Sequence, residues 1–243
     1  MWPNLLSLDA PLIALVWQDL LVRCYPVTLR PAARLALGLT VWAIYVADRL
    51  LDVRLSLLGR ESARHAFYRK HAVAWRIVLL ILLTVDVLVA LFWVRAAMLE
   101  AGLLVAPGIL LYLAMFALPG RSKTVWKKLI AAMFFTAGVF LPEFPGNLKI
   151  ALSALGFLLL CLGNLLLIEN WERGVRRTRM WLWMALLCIL CVLLSLRFSG
   201  PWFPAIASCS ALLSLLAYFE AGIPPDARSV LADAVLLCPL LFR

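Results

Sequence analysis

The chain has 243 residues, 65% of them hydrophobic, and a mean hydropathy of +0.99. Soluble domains are only about 45–50% apolar, so this composition excludes an ordinary soluble globular protein and indicates an integral membrane protein. In such a protein the net charge of +10 points to loop topology and anionic headgroups rather than to nucleic acid, and the sequence contains no nucleic-acid-binding module.

Apolar segments long enough to cross a bilayer follow one another along the chain. A span needs about 20 apolar residues, or somewhat fewer where neighbouring helices shield it. Long continuous apolar runs do not suit a barrel, so we expect an all-α integral membrane protein, a single transmembrane domain over residues 1–243 with about nine transmembrane helices. The predicted segments are 9–24, 34–52, 73–94, 97–118, 127–142, 148–169, 179–197, 202–219 and 228–242.

Basic residues set the predicted orientation. The loops after the second, fourth, sixth and eighth segments, with the adjoining segment ends, hold 16 of the 23 Lys and Arg residues. By the positive-inside rule these loops face the cytoplasm, so we expect a bacterial-type inner-membrane protein with a cytoplasmic N-terminus. Asp9 and Asp19 interrupt the first apolar stretch and no basic residue precedes it, which favours a retained helix over a cleaved signal peptide.

Two carboxylates, Asp48 and Asp52, lie where the second segment ends. If the helix continues through them, a spacing of four places both on one face, where like charges repel by about 0.2–0.5 kcal/mol. The arrangement favours a cation between them, either a metal ion or a basic side chain. Pairing of Asp52 with Arg49, three residues back, is the simpler alternative, and spacing alone leaves both open.

A second acidic group ends the sixth segment, and a basic group leads into the fifth. The acidic group comprises Glu169 and Glu172, with the amide Asn164 before them, and the basic group comprises Arg121, Lys123, Lys127 and Lys128. All fall on the side predicted to be cytoplasmic, as do the two aspartates. Carboxylates that hold Mg²⁺, with Lys and Arg to neutralise phosphate charge, are the chemistry of a diphosphate site.

A simpler interpretation of both groups stays open. Glu169 can pair with Arg173, and Glu172 with Arg176, each at a spacing of four along one helix. In the same interpretation, the lysine cluster serves to set the topology and has no role in binding. A functional site is favoured because the two acidic groups and the basic group all lie on the predicted cytoplasmic side of the membrane.

The long loop between the second and third segments is basic and contains His65 and His71. A spacing of six is a poor pattern for a metal pair on a helix. We expect this loop to contact anionic lipid, or to cover the site as a short amphipathic helix.

Three further acids, Asp19, Asp86 and Asp233, fall inside apolar segments. An ionisable residue within a membrane span is a candidate for function by default. The sequence does not make their partners evident. These residues favour a small transporter as a third, less favoured function.

The helix count and the placement of the motifs resemble the UbiA superfamily of intramembrane prenyltransferases. That family is a nine-helix bundle with cytoplasmic acidic motifs after its second and sixth helices. Residues 48–52 (DRLLD) match the second half of the first motif, while Ile44 and Tyr45 replace its opening Asn-Asp. Glu169 and Glu172 stand where the second motif has acids, which are usually four residues apart.

The resemblance implies a Mg²⁺-dependent enzyme that moves a polyprenyl group from its diphosphate to an aromatic or other lipid-soluble acceptor. Its catalytic and metal-binding residues would be Asp48, Asp52, Glu169 and Glu172, and its substrate-binding residues would be Arg49, Asn164, Lys123, Lys127, Lys128 and Tyr45. Membrane lipids are the other expected partners, no nucleic acid is expected, and the sequence gives no protein partner. The alternative is a non-catalytic membrane scaffold or subunit on the same fold.

Overall fold

The computed structural model describes residues 6–25, 27–55, 63–117, 125–143, 146–174 and 179–242. Over these residues the chain is helical and contains no strand. The helices are α1 (Asp9–Cys24), α2 (Pro31–Leu55), α3 (Ala63–Lys70), α4 (Ala72–Trp93), α5 (Ala96–Phe116), α6 (Val125–Phe140), α7 (Leu148–Arg173), α8 (Met180–Arg197), α9 (Trp202–Tyr218) and α10 (Pro225–Val235), with 3₁₀ turns at Leu141–Glu143, Glu220–Gly222 and Cys238–Phe242.

The ends of α7 show how local sequence sets a helix boundary. At its start the Asn147 side chain accepts a hydrogen bond from the Ile150 backbone N–H at 3.1 Å, which satisfies a donor that the helix leaves unpaired. At its end Gly174 adopts a left-handed conformation with φ of 64°, which glycine tolerates without steric cost. These caps fix the length of the helix that carries Asn164, Glu169 and Glu172.

Five stretches are long and apolar enough to cross a membrane: Ala72–Trp93, Ala96–Phe116, Val125–Glu143, Leu148–Arg173 and Met180–Arg197. Helix α4 shows the pattern most clearly. Its buried side chains are Trp75, Leu82 and Val89, spaced seven apart, while Leu80 and Phe92 are exposed by 66% and 71%. Large apolar side chains that face outward along a 22-residue helix suit lipid, so the chain is a membrane protein.

The structure divides into two compact units, of which unit 1 comprises Met1–Leu15 and Leu29–Leu141. Its core lies where α2 packs against α3 and α4, around Ala43, Val46, Tyr68 and Trp75. The Thr40 hydroxyl of α2 also donates to Asp86 Oδ2 of α4 at 2.6 Å. This packing holds the C-terminal half of α2 in place.

Unit 2 comprises Val16–Thr28 and Pro142–Arg243. Its core is aromatic, with the Trp17 ring centroid 4.6 Å from that of Phe157 and 5.3 Å from that of Trp202. Both indoles are satisfied, because Trp17 Nε1 donates to the Leu236 carbonyl at 2.9 Å and Trp202 Nε1 to the Ser153 carbonyl at 3.2 Å. Through these contacts α1 packs against α7 and α9 and bonds to the residue that follows α10.

The all-helical prediction is confirmed over the described residues, and a helix lies at each of the nine predicted segments. The ninth segment is interrupted, since α10 ends at Val235 and a 3₁₀ turn follows at Cys238–Phe242. Pro239 explains the break because its ring removes a helical donor. The count of nine spans, the UbiA-like bundle and the single transmembrane domain stay predictions.

Candidate functional site

The two aspartates of the first motif lie on one face of α2, as their spacing predicts. Helix α2 continues through both residues to Leu55. Their side chains are partly enclosed, with Asp48 exposed by 25% and Asp52 by 21%. Two negative charges one turn apart and partly shielded from water require a nearby cation.

Lys127, in the first turn of α6, supplies that cation. Its ammonium Nζ lies 2.8 Å from Asp48 Oδ1 and 2.9 Å from Asp52 Oδ1, so a single positive charge bridges both carboxylates. The lysine side chain is only 9% exposed. An ammonium so little exposed to water is stable only because two anions surround it. We call these three residues the acid–lysine cluster.

Tyr112 of α5 adds an aromatic wall near the acid–lysine cluster. It is 6% exposed and lies near Asp48, Tyr45 and Asp52. Its ring packs against Phe116, at a centroid distance of 5.3 Å. The sequence argument missed Tyr112, although a phenol inside an apolar span signals a polar neighbour.

The remaining predicted substrate-binding residues of unit 1 differ in position. Tyr45 and Arg49 lie half-buried on α2, and Lys128 is half-buried beside Lys127 at the start of α6. Lys123 lies outside the described residues. Of the residues predicted for this site, the structure therefore brings the acid–lysine cluster into direct contact.

The second acidic group lies on α7 in unit 2, and its ion pair forms within a single helix. Arg173 Nη2 lies 2.5 Å from Glu169 Oε1, four residues back along the same helix. This confirms the simpler pairing that the sequence left open for Glu169. Glu172 is exposed, and its predicted partner Arg176 lies outside the described residues.

Asn164 is buried and bonds across to another helix of unit 2. Its Nδ2 donates to Asp233 Oδ1 of α10 at 3.1 Å. The other two acids inside apolar segments also have bonds, since Arg23 donates to Asp19 within α1 and Thr40 donates to Asp86. Each of the three acids thus has a neighbour that the sequence did not reveal.

The acid–lysine cluster has oxygen donors that suit Mg²⁺. Among the described residues, no three or more His, Cys, Asp or Glu side chains come together in a way that could hold a metal ion. Mg²⁺ is commonly held by one or two carboxylates, with waters and substrate phosphates as its other ligands. Asp48 and Asp52 already surround one cation. They could supply the two carboxylate ligands, and a phosphate-bearing substrate could supply the others.

The chain was compared with protein-family models, with curated proteins and with solved structures. No family model matches it, and neither a curated protein nor a solved structure gives a significant match.

Proposed function

We propose that the protein is a Mg²⁺-dependent intramembrane prenyltransferase, which moves a polyprenyl group from its diphosphate to an aromatic or other lipid-soluble acceptor. The observation that carries the proposal is the acid–lysine cluster, in which Asp48 and Asp52 converge on one cation. Carboxylates and an ammonium side by side can recognise both parts of a metal diphosphate.

In the proposed reaction Asp48 and Asp52 would hold Mg²⁺, which would supply positive charge to stabilise the departing diphosphate. Lys127 then donates hydrogen bonds to phosphate oxygens instead of to the two carboxylates. Arg49, Lys123 and Lys128 add positive charge for the same anion.

The aromatic residues have a separate proposed role. Cleavage of the C–O bond leaves an allylic cation, and the face of an aromatic ring attracts a cation. Tyr45 and Tyr112, which lie near each other and near the aspartates, are suited to this role. The acceptor attacks the cation, loses a proton and keeps the prenyl group.

Glu169 and Glu172 are proposed to hold or orient a second Mg²⁺, and Asn164 to assist substrate binding. The Arg173 bond to Glu169 must then open or shift when the metal binds. Its arginine is 42% exposed, and a pair at this spacing along a helix surface contributes about 0.3–0.5 kcal/mol. The bond is therefore compatible with the proposed role.

The proposed setting is a UbiA-like bundle of about nine spans in a bacterial-type inner membrane, with the N-terminus and both acidic groups on the cytoplasmic side. The support is the positive-inside distribution of Lys and Arg. Single cysteines placed at Arg69 and Arg95 in a cysteine-free variant test the orientation. A membrane-impermeant thiol reagent added to intact cells is expected to label position 95 and not position 69, and the reverse pattern contradicts the proposal.

The second candidate is a non-catalytic membrane scaffold or subunit. It is favoured by the same ion pairs, because Lys127 and Arg173 already neutralise acids of the protein itself. In a scaffold these charges only stabilise helix contacts, and a diphosphate has no effect on them.

Prenyl transfer to an acceptor separates the two candidates. Membranes that contain the protein are incubated with Mg²⁺, labelled geranylgeranyl diphosphate and a lipid extract that supplies acceptors. We expect prenylated product from the wild type and none from Asp48→Asn, with Asp19→Asn as a matched control that loses an acid on another helix. Full activity of a folded Asp48→Asn variant would remove the metal-site argument.

A further inference from the structure

Three exposed basic residues, Arg69, Lys70 and Arg76, lie near the point where α3 meets α4. We call them the basic corner. The sequence contains no Asp or Glu from residue 63 to residue 85, so this stretch carries a net positive charge. An exposed cluster of one sign attracts a partner of the opposite sign.

The basic corner is fixed in position by the residue that precedes it. Tyr68 is 1% exposed, its ring stacks on Trp75 at a centroid distance of 4.6 Å, and its hydroxyl shares a 2.9 Å hydrogen bond with Ser7. Burial raises the pKa of Tyr68, although the Ser7 bond acts in the opposite direction, so the phenol stays protonated. With Tyr68 held inside unit 1, its neighbours Arg69 and Lys70 face outward.

The basic corner continues directly into an apolar surface. On α4, Val73, Ile77 and Leu80 are exposed by 69%, 56% and 66%. Helix α4 is long and apolar enough to cross a bilayer, so these side chains face acyl chains there. Arg76 lies between Val73 and Ile77 in sequence, where its aliphatic stem can follow the apolar surface while its guanidinium reaches the headgroups.

We propose that the basic corner binds the headgroup of an anionic phospholipid, whose acyl chains lie along the exposed face of α4. Guanidinium groups bind phosphate in a bidentate manner and an ammonium adds a point charge, so the three residues match a lipid phosphate. The continuity of charge with an apolar face selects a lipid over a soluble anion. This inference does not depend on the proposed enzyme activity.

Native mass spectrometry of the full chain in detergent tests the inference, with phosphatidylglycerol and phosphatidylcholine of the same acyl chains as probes. We expect phosphatidylglycerol to bind the wild type more tightly than phosphatidylcholine does. The variant Arg69→Gln, Lys70→Gln, Arg76→Gln is expected to lose about a hundredfold in phosphatidylglycerol affinity. The control Arg95→Gln, Lys149→Gln, Arg197→Gln removes the same charge elsewhere and is expected to lose less than about threefold.

A conservative variant, Arg69→Lys, Arg76→Lys, checks that charge and not misfolding explains the loss, and it is expected to keep affinity within about tenfold. Three results overturn the inference: equal binding of the two lipids, an equal loss in the control variant, or displacement of the lipid by inorganic diphosphate. The last result would identify the basic corner as a site for a soluble anion.

Discussion

The acidic groups of the two units are neutralised in different ways. In unit 1 one lysine bridges Asp48 and Asp52 from another helix, 75 positions after Asp52 along the chain. In unit 2 Arg173 pairs with Glu169 from within the same helix. A pair along one helix can form wherever the spacing is right, whereas the acid–lysine cluster needs α2 and α6 to be packed together. The cluster is thus the more specific feature of the fold.

The largest expected effect is that of Lys127→Met. It removes the cation that two partly shielded carboxylates share, and breaking such an ion pair costs about 3 kcal/mol. Unfolding in detergent, followed by circular dichroism, measures the change. A loss below about 0.5 kcal/mol is typical of exposed ion pairs. Such a result would contradict the proposal that the ion pairs of unit 1 contribute more to stability than that of unit 2.

Removal of all three charges of the cluster is expected to restore stability. The variant Asp48→Asn, Asp52→Asn, Lys127→Met leaves no uncompensated charge, so we expect it to recover most of the stability that Lys127→Met loses, about 2 kcal/mol. The same unfolding assay applies. A triple variant less stable than Lys127→Met alone would show that the ion pairs are not what makes the lysine necessary.

A smaller effect is expected from Thr40→Val, which removes the hydroxyl that donates to Asp86 at 2.6 Å. Hydrogen bonds between helices in a membrane contribute about 0.6 kcal/mol on average and up to about 1.7 kcal/mol, so we expect a loss of about 1 kcal/mol. Thr84→Val is the matched control, because the Thr84 hydroxyl bonds only to the Leu80 carbonyl of its own helix among the bonds described. Equal losses in the two variants would contradict a role for the contact between α2 and α4.

The smallest effect is expected from Arg173→Gln in unit 2. The Arg173 side chain is 42% exposed, whereas Lys127 is 9% exposed, and the pair of Arg173 with Glu169, which is 13% exposed, runs along one helix. We expect a loss of about 0.5 kcal/mol that becomes smaller in high salt, where the exposed charge of the arginine is screened. A loss comparable with that of Lys127→Met would contradict the comparison, because the ion pairs of the two units would then contribute equally to stability.

Sequence patterns predicted the positions of the helices because each apolar run is long and ends at charged or turn-forming residues. The spacing of Asp48 and Asp52 also predicted a shared face and a cation between them. Spacing could not tell which of the adjacent residues Lys127 and Lys128 turns inward, because that depends on how α6 packs against α2. The same limit applies to Asn164, whose partner Asp233 comes from a helix 69 positions later.

We propose that the acid–lysine cluster binds a metal diphosphate, and the test is Mg²⁺-dependent binding of farnesyl and geranylgeranyl diphosphate to the purified protein. The wild type is compared with the variant Asp48→Asn, Asp52→Asn. We predict binding that requires both Mg²⁺ and the aspartates. No binding, or binding that is indifferent to metal and mutation, would contradict the claim and leave the cluster as a structural ion pair.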